Sequence, residues 1–100
     1  MQLQRVAVTG IGAICGLGNT LDEIWVNAIA GKPGISTIER QDTSAWPVTF
    51  GGEVKNFKLS EELMPLKEQD RFDLFNQYAL HAGDEAIRQA GLTKGTYEAS

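Results

Sequence analysis

The sequence predicts an α/β fold, and three observations carry that prediction. A nearly continuous apolar run, Arg5-Val6-Ala7-Val8-Thr9-Gly10-Ile11, stands near the start of the chain. Glycines then crowd the turn that follows, at Gly10, Gly12, Gly16 and Gly18. Two long amphipathic helical patterns come after it, one opening at Thr20 and one closing at Gly91. Of the 100 residues, 42% are apolar and 22% charged, ordinary values for a globular domain.

Residues 5–11 lack the alternation of a half-exposed strand, so a strand covered on both faces is expected, as in a parallel sheet. The glycines permit tight backbone geometry that side chains would block. Thr20-Leu21-Asp22-Glu23 is a capping box with Thr20 as N-cap, and Asp22 favours the positive helix end. Leu21, Ile24, Trp25, Ala28 and Ile29 repeat at helical spacing on one apolar face, which puts Trp25 in the core. Gly31 and Pro33 stop the helix.

Residues 32–58 are the least periodic. Pro33-Gly34 and Trp46-Pro47 mark turns, Trp46 being a candidate interface residue. Residues 48–54 have room for a short strand broken by Gly51-Gly52, and no strand is expected within 34–45. Ser60-Glu61-Glu62-Leu63 begins a short helical turn that Pro65 limits. A second long helix is expected from about Gln69 to Ala90, closed by Gly91 with Leu92 as the apolar partner of a Schellman-type cap. Its stripe of Phe72, Phe75, Ala79, Ala82, Ala86 and Ala90 is small after Phe75. With Gly83 alongside, a neighbouring element is expected to approach closely. Thr93-Lys94-Gly95-Thr96-Tyr97 is loop-like. One convincing strand beside two long helices lacks sheet neighbours for its backbone groups. The chain is therefore expected to be the front piece of a larger α/β protein.

A net charge of −4 argues against a nucleic-acid partner. Lys55, Lys58, Lys67 and Arg71 interleave with Glu61, Glu62, Glu68, Asp70 and Asp73, the pattern of a solvated mixed-charge face. No apolar run approaches the roughly 20 residues of a membrane span, and residues 1–4 do not open a signal peptide. Cys15 is the only cysteine, which leaves no internal disulfide and fits a reducing compartment. A cytoplasmic protein is expected. His81 is the only histidine, too few for a His-rich metal site.

Gly12-x-x-x-Gly16-x-Gly18 has the spacing of the glycine motif of short-chain dehydrogenases, which holds pyrophosphate on helix N–H groups. An NAD(P)-dependent oxidoreductase is one reading of this turn. Thr9-Gly10 falls out of register with that motif, however, and no second strand with a ribose-binding residue follows. Tight turn geometry without nucleotide is the favoured reading. Cys15 near a helix start has the position of an activated thiol. With no acid–base partner nearby in sequence, it reads instead as a small, buried, inert thiol. His81, between Gln77 and Glu85 on the polar flank of the second helix, reads as a surface or interface histidine. Asp22/Glu23 and Glu61/Glu62 read as helix-start acids, because adjacent helical positions do not face one another.

From about residue 4 to residue 92 the sequence resembles the N-terminal quarter of the β-ketoacyl-acyl-carrier-protein synthases, closest to the type II elongating condensing enzymes. Residues 5–12 are similar to that family's opening strand. Gly18-Asn19-Thr20 with Trp25, Ala30-Gly31-Lys32, Gly34-Ile35 and Asp42-Thr43-Ser44 follow in order. Phe50-x-Gly52-x-Val54-Lys55-x-Phe57, Lys67-Glu68, Asp73-x-Phe75-x-Gln77-Tyr78-Ala79-Leu80 and Ala90-Gly91-Leu92 complete the resemblance. Three positions depart from the family pattern. Cys15-Gly16 replaces a usual Ser-Pro, Phe72 a usual methionine, and Leu74 a residue that is often basic or small. These changes suit the fold and leave room for a polyketide-type member.

The resemblance implies a thiolase-like fold, two similar halves stacked as an α/β/α/β/α sandwich, with residues 1–100 as an N-terminal fragment of the first half-domain. It implies decarboxylative Claisen condensation of malonyl-acyl-carrier protein with an acyl thioester, in fatty-acid or polyketide chain elongation. Acyl carrier protein is the implied partner, the enzyme is normally a homodimer, and no cofactor or metal is needed. The family's cysteine nucleophile and two histidines come well after the matched region. No residue here is therefore assigned a catalytic, cofactor-binding or metal role, Cys15 and His81 included, and the 100-residue piece alone is expected to be inactive. A non-catalytic chain-length-factor subunit is the alternative within the family.

Overall fold

The computed structural model describes residues 2–92. The elements are α1 (Leu21–Ile29), β1 (Ile35–Thr37), β2 (Phe50–Gly52), α2 (Leu66–Gln69) and α3 (Leu74–Ala90). The loop expected at residues 93–97 lies outside the described residues.

Both long helices end as their sequences direct. Thr20 is extended, and its Oγ1 accepts from the Glu23 N–H at 3.2 Å, which opens α1. Gly31 then adopts φ +73°, its N–H donating to Ala28 while the Lys32 N–H donates to Asn27. The same pair of bonds closes α3: Gly91 at φ +71° donates to Arg88, and Leu92 to Ile87. Both closures are Schellman motifs, in which a left-handed residue lets two orphan carbonyls find partners.

The start of α3 departs from expectation. The helix begins at Leu74 rather than near Gln69, because the chain extends at Asp73 (φ −64°, ψ 157°). Residues 66–69 form the separate turn α2, with Pro65 as its N-cap. Two glutamines make this break affordable in hydrogen bonds. Gln69 is buried, and its side-chain amide donates to the carbonyls of Met64 (2.8 Å) and Leu59 (3.3 Å). The Gln77 amide, projecting from α3, donates to the carbonyls of Gln69 and Phe72. Carbonyls that a short helix leaves open are thereby satisfied. The expected turn at Ser60 is present, closed by the Leu63 and Met64 N–H groups on the Ser60 carbonyl.

A strand also forms where none is expected. β1 pairs antiparallel with β2 in the register Ile35↔Gly52, Ser36↔Gly51, Thr37↔Phe50, and the Ile38 N–H extends the pairing to Thr49. β2 falls inside the window 48–54. A three-residue strand shows too little of the two-residue period to stand out from loop sequence.

The opening segment makes no ladder among the described residues, and Val6 and Val8 are 90% and 78% exposed. The strand covered on both faces that the sequence predicts does not form among the described residues. The segment instead runs against α3. A Cβ on Gly10 would strike the Ala86 carbonyl and lie 2.9 Å from Ala90 Cβ; one on Gly12 would strike the Ala82 carbonyl and lie 3.0 Å from Ala86 N. In parallel, the Ile11 N–H donates to Gln89 Oε1 at 2.6 Å and the Ala13 N–H to Glu85 Oε1 at 3.0 Å. Two residues of segment match four of helix, running in opposite directions. Two extended residues advance about 6.6 Å, and four helical residues about 6.0 Å, so the two periods stay in phase. The small stripe of α3 is thus used as expected, with glycines as its counterpart. Gly83 is not: a Cβ there would meet nothing within 4 Å.

Burial is sparse. Leu59 is the one apolar side chain fully buried among the described residues. Trp25, expected in the core, is 65% exposed and Ile29 68%. α1 turns Leu21, Ile24 and Asn27 toward the rest of the chain and leaves its broader apolar face open.

Gly12→Val should destabilise the 100-residue chain by about 1–3 kcal/mol through overpacking on α3, whereas Gly83→Ala should stabilise it by about 0.5–1 kcal/mol. Urea unfolding followed by circular dichroism reads both. The same chain should melt broadly, since its described residues bury only Leu59 fully. A sharp two-state melt of the monomer would contradict that expectation.

Candidate functional site

The glycine turn is the feature with the clearest ligand-binding precedent in general chemistry, so its geometry decides much. Cys15 and Gly18 exchange backbone hydrogen bonds of 2.9 and 3.1 Å, closing a tight turn around Gly16 and Leu17. From α1, the Asn27 amide donates to the Leu17 carbonyl at 2.6 Å. The Asn19 amide donates to the carbonyls of Lys55 and Asn56. Asn56 itself sits at φ +54°, a conformation that asparagine tolerates better than most residues. A surface cavity of about 450 Å³ borders the turn, with Lys55 and Asn56 on its far side.

α3 fixes the turn from its other side. His81 Nε2 lies 2.6 Å from the Asn19 carbonyl, which can only accept, so Nε2 carries the proton and donates. The imidazole meets Phe57 edge-on at 5.3 Å, and Phe57 meets Tyr78 at 4.9 Å. One helical turn further on, Glu85 accepts the Ala13 N–H on Oε1 and the Leu21 N–H on both oxygens, at 3.2 and 3.0 Å. Leu21 is the first residue of α1. A carboxylate of this chain therefore occupies the positive end of α1, where a dinucleotide-binding turn would hold pyrophosphate. A phosphate brought there would meet this like charge, which disfavours binding.

Three sequence expectations meet different surroundings. Cys15, expected buried, is exposed, and its Sγ accepts the Leu17 N–H at 3.4 Å. Cys15 flanks the turn, and its side chain is exposed while Gly16 and Leu17 at the tip are half-buried. His81, read as a surface or interface histidine, is half-buried, with Nε2 on the Asn19 carbonyl and Phe57 packed edge-on against its ring. Glu62 faces Arg88 across 3.6 Å, and Arg88 pairs with Asp84 at 2.8 Å. Both pairs involve exposed groups and contribute little.

Two further carboxylates brace loops. Glu53 accepts the N–H groups of Glu39 and Arg40, and the Arg40 guanidinium donates to the Val54 carbonyl. Asp42 accepts the Ser44 N–H at 3.0 Å, and its hydrogen bonds to the Ser44 backbone and side chain hold its carboxyl below the usual value. Glu85 is the site residue that sequence reasoning passed over. Its signal was present in the spacing Gln77, His81, Glu85, Gln89, each four residues from the next on one face of α3.

Comparison with known proteins identifies the family of the chain. The chain is 43% identical over 91 residues to the 3-oxoacyl-(acyl-carrier-protein) synthase 2 of Staphylococcus aureus strain COL, covering 91% of this chain and 22% of that protein. Proteins of the same name from Vibrio cholerae serotype O1 and from Synechocystis are 40% and 41% identical over 92 residues, in each case 92% of this chain and 22% of the relative. Residues 3–100 match the family described as beta-ketoacyl synthase, N-terminal domain, and the chain belongs to that family. It spans about a fifth of the length of these relatives. Among the described residues, no helix is long and apolar enough to cross a membrane.

With Glu85 seated at the start of α1, titration with NAD or NADP should give no saturable change in Trp25 or Trp46 fluorescence and no calorimetric isotherm. A stoichiometric isotherm would restore the nucleotide reading of the glycine turn.

Proposed function

We propose that this chain is the N-terminal portion of a β-ketoacyl-acyl-carrier-protein synthase acting in fatty-acid or polyketide chain elongation. The observation that carries the reading is the family match across residues 3–100, joined to relatives at 40–43% identity that bear one enzyme name. In the proposed reaction, loss of CO2 from a malonyl thioester leaves a carbanion equivalent. It attacks an acyl thioester held on an enzyme cysteine, the enzyme thiolate departs, and a 3-oxoacyl thioester remains. Acyl carrier protein delivers both substrates, the working enzyme is a cytoplasmic homodimer, and no cofactor takes part.

Residues 1–100 serve as scaffold in this reading and supply no catalytic group. The exposed Val6 and Val8, beside backbone without ladder partners among the described residues, suit a strand that the remainder of the protein completes into a layered thiolase-like sandwich. The glycine turn and α3 would hold that strand in place.

Incubating the full-length protein with acyl- and malonyl-acyl-carrier protein should release CO2 and form 3-oxoacyl-carrier protein, while the 100-residue chain forms none. Condensation by the 100-residue chain would refute the scaffold assignment. A full-length protein that never condenses, and whose nucleophile position holds another residue, would be a chain-length-factor type of subunit instead.

A further inference from the structure

We infer that the Glu85 carboxylate is a built-in anion that sets the conformation of the glycine turn, so that α3 holds or releases the turn through one charged group. Ala13 and Leu21 stand on either side of the turn, eight residues apart, yet their N–H groups converge on the same side chain. Oε1 is shared between them, at 3.0 and 3.2 Å, and Oε2 takes Leu21 alone at 3.0 Å. A single carboxylate thereby closes the mouth of the loop that contains Cys15 and the tight turn at Gly16 and Leu17.

The electrostatics point the same way. Glu85 is half-buried, and no Lys, Arg or His forms an ion pair with it among the described residues. Its counter-charge is the N-terminus of α1, whose partial positive charge and free N–H groups favour an anion. Hydrogen bonds to a charged acceptor are the stronger kind. The neighbouring contacts of α3, His81 on Asn19 and Gln89 on Ile11, involve a neutral amide carbonyl or a neutral side-chain amide. Glu85 is thus the charged member of the row and the one that spans both ends of the turn. This is a positioning role, independent of whether the protein condenses acyl thioesters.

The test is amide hydrogen exchange on the full-length protein, resolved to single residues by fragmentation mass spectrometry. In Glu85→Ala, Ala13 and Leu21 should exchange about tenfold faster or more, while residues 74–90 keep their protection. Sodium formate should restore the protection, and sodium chloride at equal ionic strength should not. Glu85→Gln keeps the shared oxygen but turns an NH2 toward Leu21, so Leu21 should quicken more than Ala13. Asp84→Ala, which removes only the exposed pair with Arg88, should leave the turn unchanged.

Unchanged exchange in Glu85→Ala would overturn the inference. So would a loss that Asp84→Ala shares, or one that formate leaves untouched while α3 stays protected. Should Glu85→Ala fail to fold, Glu85→Gln decides: wild-type exchange at Leu21 in that variant would overturn the inference, and faster exchange there would uphold it.

Discussion

An extended segment carries an N–H and a C=O at almost every residue, and each must find a partner when the segment packs against something. In this chain the something is a helix, whose own backbone groups are already used. α3 meets the demand with side chains. Gln77, His81, Glu85 and Gln89 lie four residues apart and reach, in order, the carbonyls of Gln69 and Phe72, the carbonyl of Asn19, the N–H groups of Ala13 and Leu21, and the N–H of Ile11. The adjacent row of Ala82, Ala86 and Ala90 is small enough for Gly10 and Gly12 to come within contact of the helix. Polar row and small row are interdependent. The polar side chains reach the segment because the alanines let it approach, and the approach is tolerable because the polar groups are answered.

The glycine turn follows from this arrangement. Its closure by Cys15 and Gly18 is local, but its orientation is set from outside by Asn27, by the loop at Lys55–Asn56, and by His81 and Glu85. A turn of this spacing in a dinucleotide-binding fold leaves the helix end free for a ligand. Here the same physical chemistry is answered within the chain. Glycine spacing describes how the backbone bends, and the charge on the neighbouring element decides what the bend can hold.

What was legible in the sequence was local or periodic. The Thr20 cap, both glycine closures and the position of α1 each follow from contacts within a few residues, the small stripe of α3 follows from helical spacing, and each stands as read. What was not legible depended on distant partners. Gln69 and Gln77 break the second helix through bonds to residues five to ten positions away. β1 exists because β2 lies beside it. Trp25 and the opening segment read as core from their apolarity, yet apolarity says that a residue favours burial without saying which element buries it. Cys15 was misplaced for the related reason that a small apolar side chain favours burial without fixing whether its place in a loop provides any. Family membership was the most legible property, since ninety residues of ordered motifs outweigh any single one.

The meeting of segment and helix also works like a vernier. Two extended residues exceed four helical ones by about 0.6 Å, a mismatch small enough to ignore over the single step that each row of contacts makes, Gly10 to Gly12 and Ile11 to Ala13. Repeated four times it would reach about 2.4 Å and carry the next N–H out of hydrogen-bond reach. Such a contact cannot lengthen indefinitely; it must be brief. Any side chain at Gly10 or Gly12 would strike a backbone carbonyl of α3, and inserting or deleting one residue between Gly10 and Ala13 shifts every tooth at once and presents the wrong face of the chain to the alanines. This short stretch has to keep its length as strictly as its two glycines.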